Sequence, residues 1–259
     1  MPDFPGRRRL RASTLLTVLV LPGVLTGCGG SPGPATLTVL ATSSLTEVFG
    51  EMGTAYHQEH PGVKLRFVFG DSPEMVDRLS DHTPGDVLVT ADRASMDDAA
   101  EYLTGRRSIV THDSLTIAVG PGNPRRIRSL YDLTRPGLRV AVGAGTVPVG
   151  RYTRQVFAKA GLSVRWNSEE IGARAVLDRI RSGEADAGIV YITDLRSAGV
   201  AASSVPIPAD LNVTAAFPAA TVRDSEHEAE ADAFVSWLLA PAAQKLFHKY
   251  GFPSPAPPS

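Results

Sequence analysis

The sequence predicts an α/β protein of two lobes, each a mainly parallel sheet flanked by helices, joined by two crossing strands. Three observations carry that prediction. Apolar strands alternate with amphipathic helices along the body of the chain, the pattern of βαβ units. Serine or glycine stands where strands hand over to helices, at Ser44, Ser72 and Gly143 to Gly150. Two apolar stretches, Ser114 to Gly120 and Leu211 to Val222, read as strands that pass from one lobe to the other.

The body follows a leader. Arg7, Arg8, Arg9 and Arg11 precede an apolar run from Leu15 to Leu25 and then Leu25-Thr26-Gly27-Cys28. A basic start, a short apolar core and small residues before a cut are the parts of an export signal. The run is about half of the ~20 residues a spanning helix needs, and Pro22 and Gly23 would break it. Residues 1–27 therefore read as a signal peptide, and Leu-Thr-Gly-Cys resembles a bacterial lipobox. That resemblance implies a lipid on the Cys28 thiol and a protein held by two or three acyl chains in the cell envelope, on the outer face of the cytoplasmic membrane or in the periplasm. Cys28 is the only cysteine, so no disulfide forms within the chain. Residues 28–35 read as a flexible tether and residues 254–259, rich in proline, as a disordered tail. The net charge is −1, and four arginines fall in the leader, so the exported body is mildly acidic. Without a long basic run, nucleic acid is not an expected partner.

In order along the body, Leu37, Val39, Leu40 and Ala41 form the first strand. Leu45, Val48, Phe49, Met52, Ala55 and Tyr56 then recur at the three-and-four spacing of one buried helix face. The junction puts Ser44 at the helix start, where unpartnered N–H groups and the positive end of the dipole can hold an oxyanion without a cation. Plain capping of the helix by Ser43 or Ser44 is the alternative. Pro61 and Gly62 turn the chain into the strand Val63 to Phe69, and Gly70-Asp71-Ser72-Pro73 leads into a helix carrying Met75, Val76 and Leu79. Proline in the first turn behind a serine marks a helix start, so Ser72 is a second cap or ligand. Two such starts on adjacent parallel strands converge on one crevice, where open α/β sheets bind ligands. Asp86 to Asp92 gives a third strand and Arg93 to Tyr102 a helix.

Ser114 to Gly120 is the first crossing, ending in the turn cluster Pro121-Gly122-Asn123-Pro124. Beyond it come a short helix, Ser129 to Leu133, the strand Leu138 to Val142, and the glycine-rich stretch Gly143 to Tyr152. Glycines let backbone N–H groups approach a ligand closely, and the helix start at Val149 offers partial positive charge. The stretch matches no nucleotide-binding fingerprint. Ile171 to Leu177 opens a helix with Val176, Leu177 and Ile180 inward, and Ala187 to Tyr191 is a buried strand with Tyr191 at its carboxyl end. That hydroxyl either bonds backbone in the core or points into the crevice. Leu211 to Val222 crosses back, and helices near Glu228 to Leu239 and Pro241 to Tyr250 return to the first lobe. The expected lobes are residues 36–116 with 220–253, and residues 117–219, hinged on the two crossings.

Ser-Leu-Thr at 44–46, Gly-Asp-Ser at 70–72, Val-Pro-Val-Gly-Arg-Tyr at 147–152, Gly-Glu-Ala-Asp-Ala-Gly-Ile-Val-Tyr at 183–191 and Phe-His-Lys-Tyr-Gly-Phe at 247–252 occur in this order. With them the chain resembles the molybdate-binding proteins of molybdate ABC importers over nearly all of residues 36–253. The resemblance implies a type II periplasmic-binding-protein fold, capture of molybdate or tungstate between the lobes, and delivery to a permease whose ATPase lies across the membrane. It implies a monomer without a cofactor, in which no protein atom bonds the metal directly. The ligands it implies are the hydroxyls of Ser44 and Ser72 with nearby backbone N–H groups, the N–H groups of Val149 and Ala173, and the hydroxyl of Tyr191. Molybdate is fully deprotonated near neutral pH, so neutral donors suffice.

Three departures stand out. Gly143-Ala144-Gly145 replaces a more usual Gly-Asp-Pro, Val149 replaces alanine, and Asp71 stands beside Ser72. Facing the cleft, Asp71 repels a dianion or accepts a proton from hydrogen phosphate; facing solvent, it does neither. Sulfate or phosphate is thus an alternative ligand, and a sensor without transport an alternative role. A hydrolase has less behind it, since neither G-x-S-x-G nor H-E-x-x-H occurs, and a non-enzyme is expected. His57 and His60, one turn apart, read as an exposed helix face rather than metal ligands. The patch of Asp224, Glu226, His227, Glu228 and Glu230 reads as a solvated turn.

Overall fold

A computed structural model describes residues 1–3, 34–199 and 202–255. Almost all of the leader, Cys28, the tether up to Gly33 and residues 256–259 lie outside the described residues. Among the described helices none is long and apolar enough to cross a membrane.

Strand β1 (Ala35–Thr42) is buried from Leu37 to Thr42, Thr38 and Thr42 included, as a strand covered on both faces is. Helix α1 (Thr46–Glu59) follows through a 3₁₀ turn at Ser43–Leu45. Then come β2 (Val63–Gly70), α2 (Ser72–Ser80), β3 (Val87–Val89) and α3 (Arg93–Asp98). The long β4 (Leu103–Val119) leads to β5 (Val140–Gly143), α4 (Pro148–Lys159), β6 (Ser168–Glu170) and α5 (Ala173–Arg181). The chain finishes with β7 (Ala187–Tyr191), α6 (Ile192–Ser197), β8 (Ser203–Pro206), β9 (Thr214–Val222), α7 (Glu228–Trp237) and α8 (Pro241–Tyr250).

These strands form one continuous path, β2-β1-β3-β9-β4-β7-β5-β6, with β8 also on β4. The pairs β1–β2, β1–β3, β5–β6 and β5–β7 are parallel, and the β3–β9, β4–β9, β4–β7 and β4–β8 pairs are antiparallel. Strand β4 is shared by both halves of the path: Leu103 to Ser114 pair with β9, and Leu115 to Val119 with β7 and β8. The expected α/β class with helix-flanked sheets is what the molecule has, but the sheet is mixed rather than mainly parallel: the parallel groups β2-β1-β3 and β7-β5-β6 are joined through the antiparallel β9 and β4.

Some elements differ from the sequence reading. The helix expected over Arg93 to Tyr102 stops at Asp98 and gives way to a 3₁₀ turn at Ala100–Tyr102. Strand β4 starts at Leu103, well before Ser114, because Thr104 to Arg107 hold no apolar residue and two register shifts break the alternation that marks a strand. Strand β6, Ser-Glu-Glu, has no apolar signal at all.

The helix face read from the spacing is the buried one. Val48, Phe49, Met52 and Tyr56 of α1 are buried, each worth about 1.5 to 3 kcal/mol against water. Tyr56 meets Phe234 of α7 at 5.0 Å and Trp237 at 5.1 Å, and Phe49 meets Phe247 of α8 at 6.3 Å. The last helix is stopped by Gly251, whose φ of 92° an L-residue rarely adopts. The Phe252 N–H then bonds the Phe247 carbonyl at 2.9 Å and seats the Phe252 ring on Phe217.

Candidate functional site

The parallel strands end at one place. Their carboxyl ends and the helix starts that follow surround a tight cavity of about 10 Å³, near the smallest that holds one water molecule. Ser43 and Ser44 reach it from the β1–α1 turn, Asp71 and Ser72 from the start of α2, and Pro148 and Val149 from the start of α4. Gly172 and Ala173 come from the start of α5, and Tyr191 from the end of β7. All five residues singled out as binding groups, Ser44, Ser72, Val149, Ala173 and Tyr191, line this cavity, and all five are buried. A larger hollow of about 280 Å³ beside it shares Ser44.

The first N–H groups of each helix have no partner within the helix, so four helix starts aim donors and partial positive charge at one point. At α4 the first residue is Pro148, which has no N–H, so donation begins at Val149. Gly150 is next, and there a Cβ would overlap the carbonyl oxygens of Ala144 and Gly143. Only glycine lets the helix start press onto that loop. The Ala144 N–H in turn bonds the Glu170 carbonyl at 2.8 Å, tying the loop to the end of β6.

Neither serine caps a helix. Ser72 Oγ accepts the Ala91 N–H at 3.0 Å, which leaves its own O–H to donate into the cavity. Ser44 differs from the expectation. Its hydroxyl donates to Asp194 Oδ2 at 2.8 Å, so its one proton is committed to that carboxylate and the residue offers the cavity its backbone. Asp194 lies on α6, an element the sequence reading did not contain; an acidic residue three positions after Tyr191 was the available signal. Burial pushes its pKa up to about 6, against the Ser44 hydrogen bond and the Arg174 charge.

The Tyr191 hydroxyl is buried and without a hydrogen-bond partner among the described residues. Burial, helped by nearby Tyr152 and Asp194, pushes its pKa well above the ordinary value. It therefore stays a neutral donor at physiological pH. Its ring is held edge-on to Phe217 at 5.8 Å.

Two arginines beside the cavity are paired with carboxylates. Arg174 donates to Glu47 Oε2 at 2.5 Å, and its Nε lies 3.7 Å from Asp194 Oδ1, within ion-pair range but too far for a hydrogen bond. Arg151 donates to Asp92 Oδ2 at 2.7 Å and to Ser95 Oγ at 2.8 Å. Among the described residues no arginine or lysine lines the cavity. The charged side chain that does is Asp71, half-buried, with a pKa pushed up to about 6 by burial and then by Glu74. The choice left open by the sequence, cleft or solvent, falls to the cleft. Among the described residues no three His, Cys, Asp or Glu side chains cluster as a metal site. His57 faces the Val63 carbonyl at 3.0 Å, and His60 stacks on Tyr56 at 4.3 Å.

A cavity of converging neutral donors, without a cation, is suited to holding a small anion. The model of bacterial extracellular solute-binding proteins matches residues 37–253. The chain belongs to this family. Among relatives, this solute-binding protein is 33% identical over 229 residues to the molybdate-binding protein ModA of Mycobacterium tuberculosis, covering 88% of each chain. Among solved structures it matches the Azotobacter vinelandii periplasmic molybdate-binding protein with a TM-score of 0.74, at 20% identity, over 85% of this chain and 99% of that one. It matches the sulfate-binding protein SubI of M. tuberculosis with a TM-score of 0.75, at 20% identity, over 86% and 88%. These two show the fold, and the resemblance to molybdate-binding proteins read from the motifs agrees with the first relative.

Proposed function

We propose that this solute-binding protein captures molybdate, and tungstate with it, in the cavity between the helix starts and delivers it to an ABC permease. The observation that carries the reading is the Tyr191 hydroxyl, buried and unpartnered in a cavity that four helix starts also face. A tetrahedral oxyanion supplies the acceptor that hydroxyl lacks. The donors in this reading are the Ser72 and Tyr191 hydroxyls and the N–H groups at Ser44, Ser72, Val149 and Ala173. Bonds to a charged acceptor at about 1.5 to 3 kcal/mol each, less the ordering cost, reach the roughly −8 to −12 kcal/mol of micromolar to nanomolar binding. The similarity to the mycobacterial molybdate-binding protein favours molybdate over other oxyanions.

In the same reading the protein works as a monomer, needs no cofactor and catalyses nothing. A lipid on Cys28 keeps it near the permease, and residues 36–116 with 220–253 close on residues 117–219 around the ligand. One observation favours a second ligand class: Asp71 in the lining suits an anion that brings a proton, such as hydrogen phosphate. Calorimetric titration of the mature protein with molybdate, tungstate, sulfate and phosphate tests both. Tight molybdate and tungstate binding with little response to the others supports the first reading. A preference for phosphate supports the second, and no binding by folded protein removes both.

A further inference from the structure

The oxyanion reading leaves one group in the cavity unexplained. Asp71 is the N-cap of α2, a position where aspartate ordinarily accepts an N–H from the first turn, yet its side chain makes no cap bond. It reaches instead against Gly172 at the start of α5, where a Cβ would overlap Oδ1. A glycine thus makes room for a carboxyl group between two helix starts, in the same lining as Ser72 and Tyr191.

Among the described residues no cation lines the cavity to neutralise it. On its own helix the neighbour is Glu74, which is paired with Arg78 at 3.0 Å. From α6 comes Asp194, whose own pKa Asp71 helps to raise. On α5 Arg174 is bonded to Glu47 of α1. The start of α4 contributes Val147, Pro148 and Val149, and beyond β3 Asp92 is held by Arg151. An ionised Asp71 and a dianion in one tight cavity are like charges in contact, an arrangement in which one of the two takes a proton.

Resting on the oxyanion reading, we propose that the cavity takes up one proton with each tetrahedral dianion, shared between the Asp71 carboxyl and an anion oxygen, so that Asp71 sets both pH dependence and ligand choice. The proton comes from solvent, and the only bond made is its O–H. The protonated carboxyl then donates as Ser72 and Tyr191 do. Sulfate, the conjugate base of a strong acid, is the poorest partner for it. Unliganded Asp71, with its pKa near 6, is mostly ionised at pH 8 and mostly protonated at pH 5. Binding therefore draws a proton at pH 8 and almost none at pH 5, and the molybdate Kd rises about tenfold per pH unit above the pKa of unliganded Asp71.

The experiment is titration of the protein with molybdate at pH 5 and pH 8, in buffers of different protonation enthalpy, for the wild type, Asp71→Asn and Asp71→Ser. The expected result is uptake of about one proton by the wild type at pH 8, and none by either variant, whose affinities no longer change with pH. Two substitutions guard against one that fails to fold. Tight binding with no proton uptake by the wild type overturns the inference and leaves the oxyanion reading standing. Uptake that persists in both variants also overturns it and moves the proton to Asp194. Failure of the folded wild type to bind any of molybdate, tungstate, phosphate or sulfate removes the oxyanion reading and the inference with it.

Discussion

Ser72 starts α2 and Ser44 lies in the 3₁₀ turn before α1, yet their hydroxyls have opposite tasks. Ser72 Oγ receives an N–H and keeps its proton for the cavity, whereas Ser44 gives its proton to buried Asp194. Ser72→Ala and Tyr191→Phe are therefore each expected to weaken oxyanion binding by about 10- to 100-fold, the worth of one hydrogen bond to a charged acceptor. Calorimetry reads this directly, and full affinity in both variants would overturn the site assignment. Ser44→Ala acts on the fold. It strips a donor from a buried carboxylate, a loss of about 1 to 3 kcal/mol, so its denaturation midpoint should drop while its affinity falls less than that of Ser72→Ala. The sequence singled out both serines, and both line the cavity. It had no access to the direction of either hydroxyl, because Ala91 and Asp194 are brought in by other elements.

At the level of elements, the site depends on helix starts being driven close to strand ends. At Gly150 the obstacle to a side chain is backbone rather than a movable side chain. Gly150→Ala, favourable for a solvated helix, should instead cost about 1 to 3 kcal/mol by overpacking. It should also weaken binding by shifting the Val149 N–H, so denaturation and calorimetry together check it. Gly172→Ala meets the end of the Asp71 side chain, so that variant should fold and change the pH dependence of binding. The elements legible in the sequence were those with a clear period or apolar run: β1, α1, β2, α2, β3, β5, α5, β7, β9, α7 and α8. Those missed, the first part of β4, β6, α6 and β8, are short, polar or bulged, and only pairing with a neighbour makes them regular.

Across the whole molecule, buried carboxylates give stability a definite pH dependence. Asp113, where β4 passes from β9 to β7, accepts the Thr193 hydroxyl and the Ser114 N–H, yet burial pushes its pKa up to about 7 from 3.8. Between those values the folded state holds a proton that the unfolded chain has lost. Unfolding free energy contributed by this group therefore falls as pH rises from about 4 to about 7. Asp186, between Arg139 and Arg125, has its pKa lowered to about 2, mainly by the Arg139 hydrogen bond, and has the opposite sign. Its stabilisation is present above pH ~4 and is lost as pH falls toward 2. Urea denaturation against pH should show both limbs, and Asp113→Asn should flatten the upper one. An upper limb that is unchanged in that variant would assign the slope elsewhere.

The sequence by itself determined the α/β class, the order of the long strands and helices, and which residues stand at strand-to-helix junctions. These follow from local periodicity and from the short-range chemistry of serine, glycine and proline at helix starts. It determined the family as well, through motifs spread from Ser44 to Phe252. Tertiary structure alone decided that Ser44 is turned to Asp194, and that Asp71 faces inward with no cation among the described residues lining the cavity to meet it. Such contacts depend on where distant backbone segments come to rest and on which donors those segments have already used. That information is in the packing of the strands and not in any single stretch of the chain.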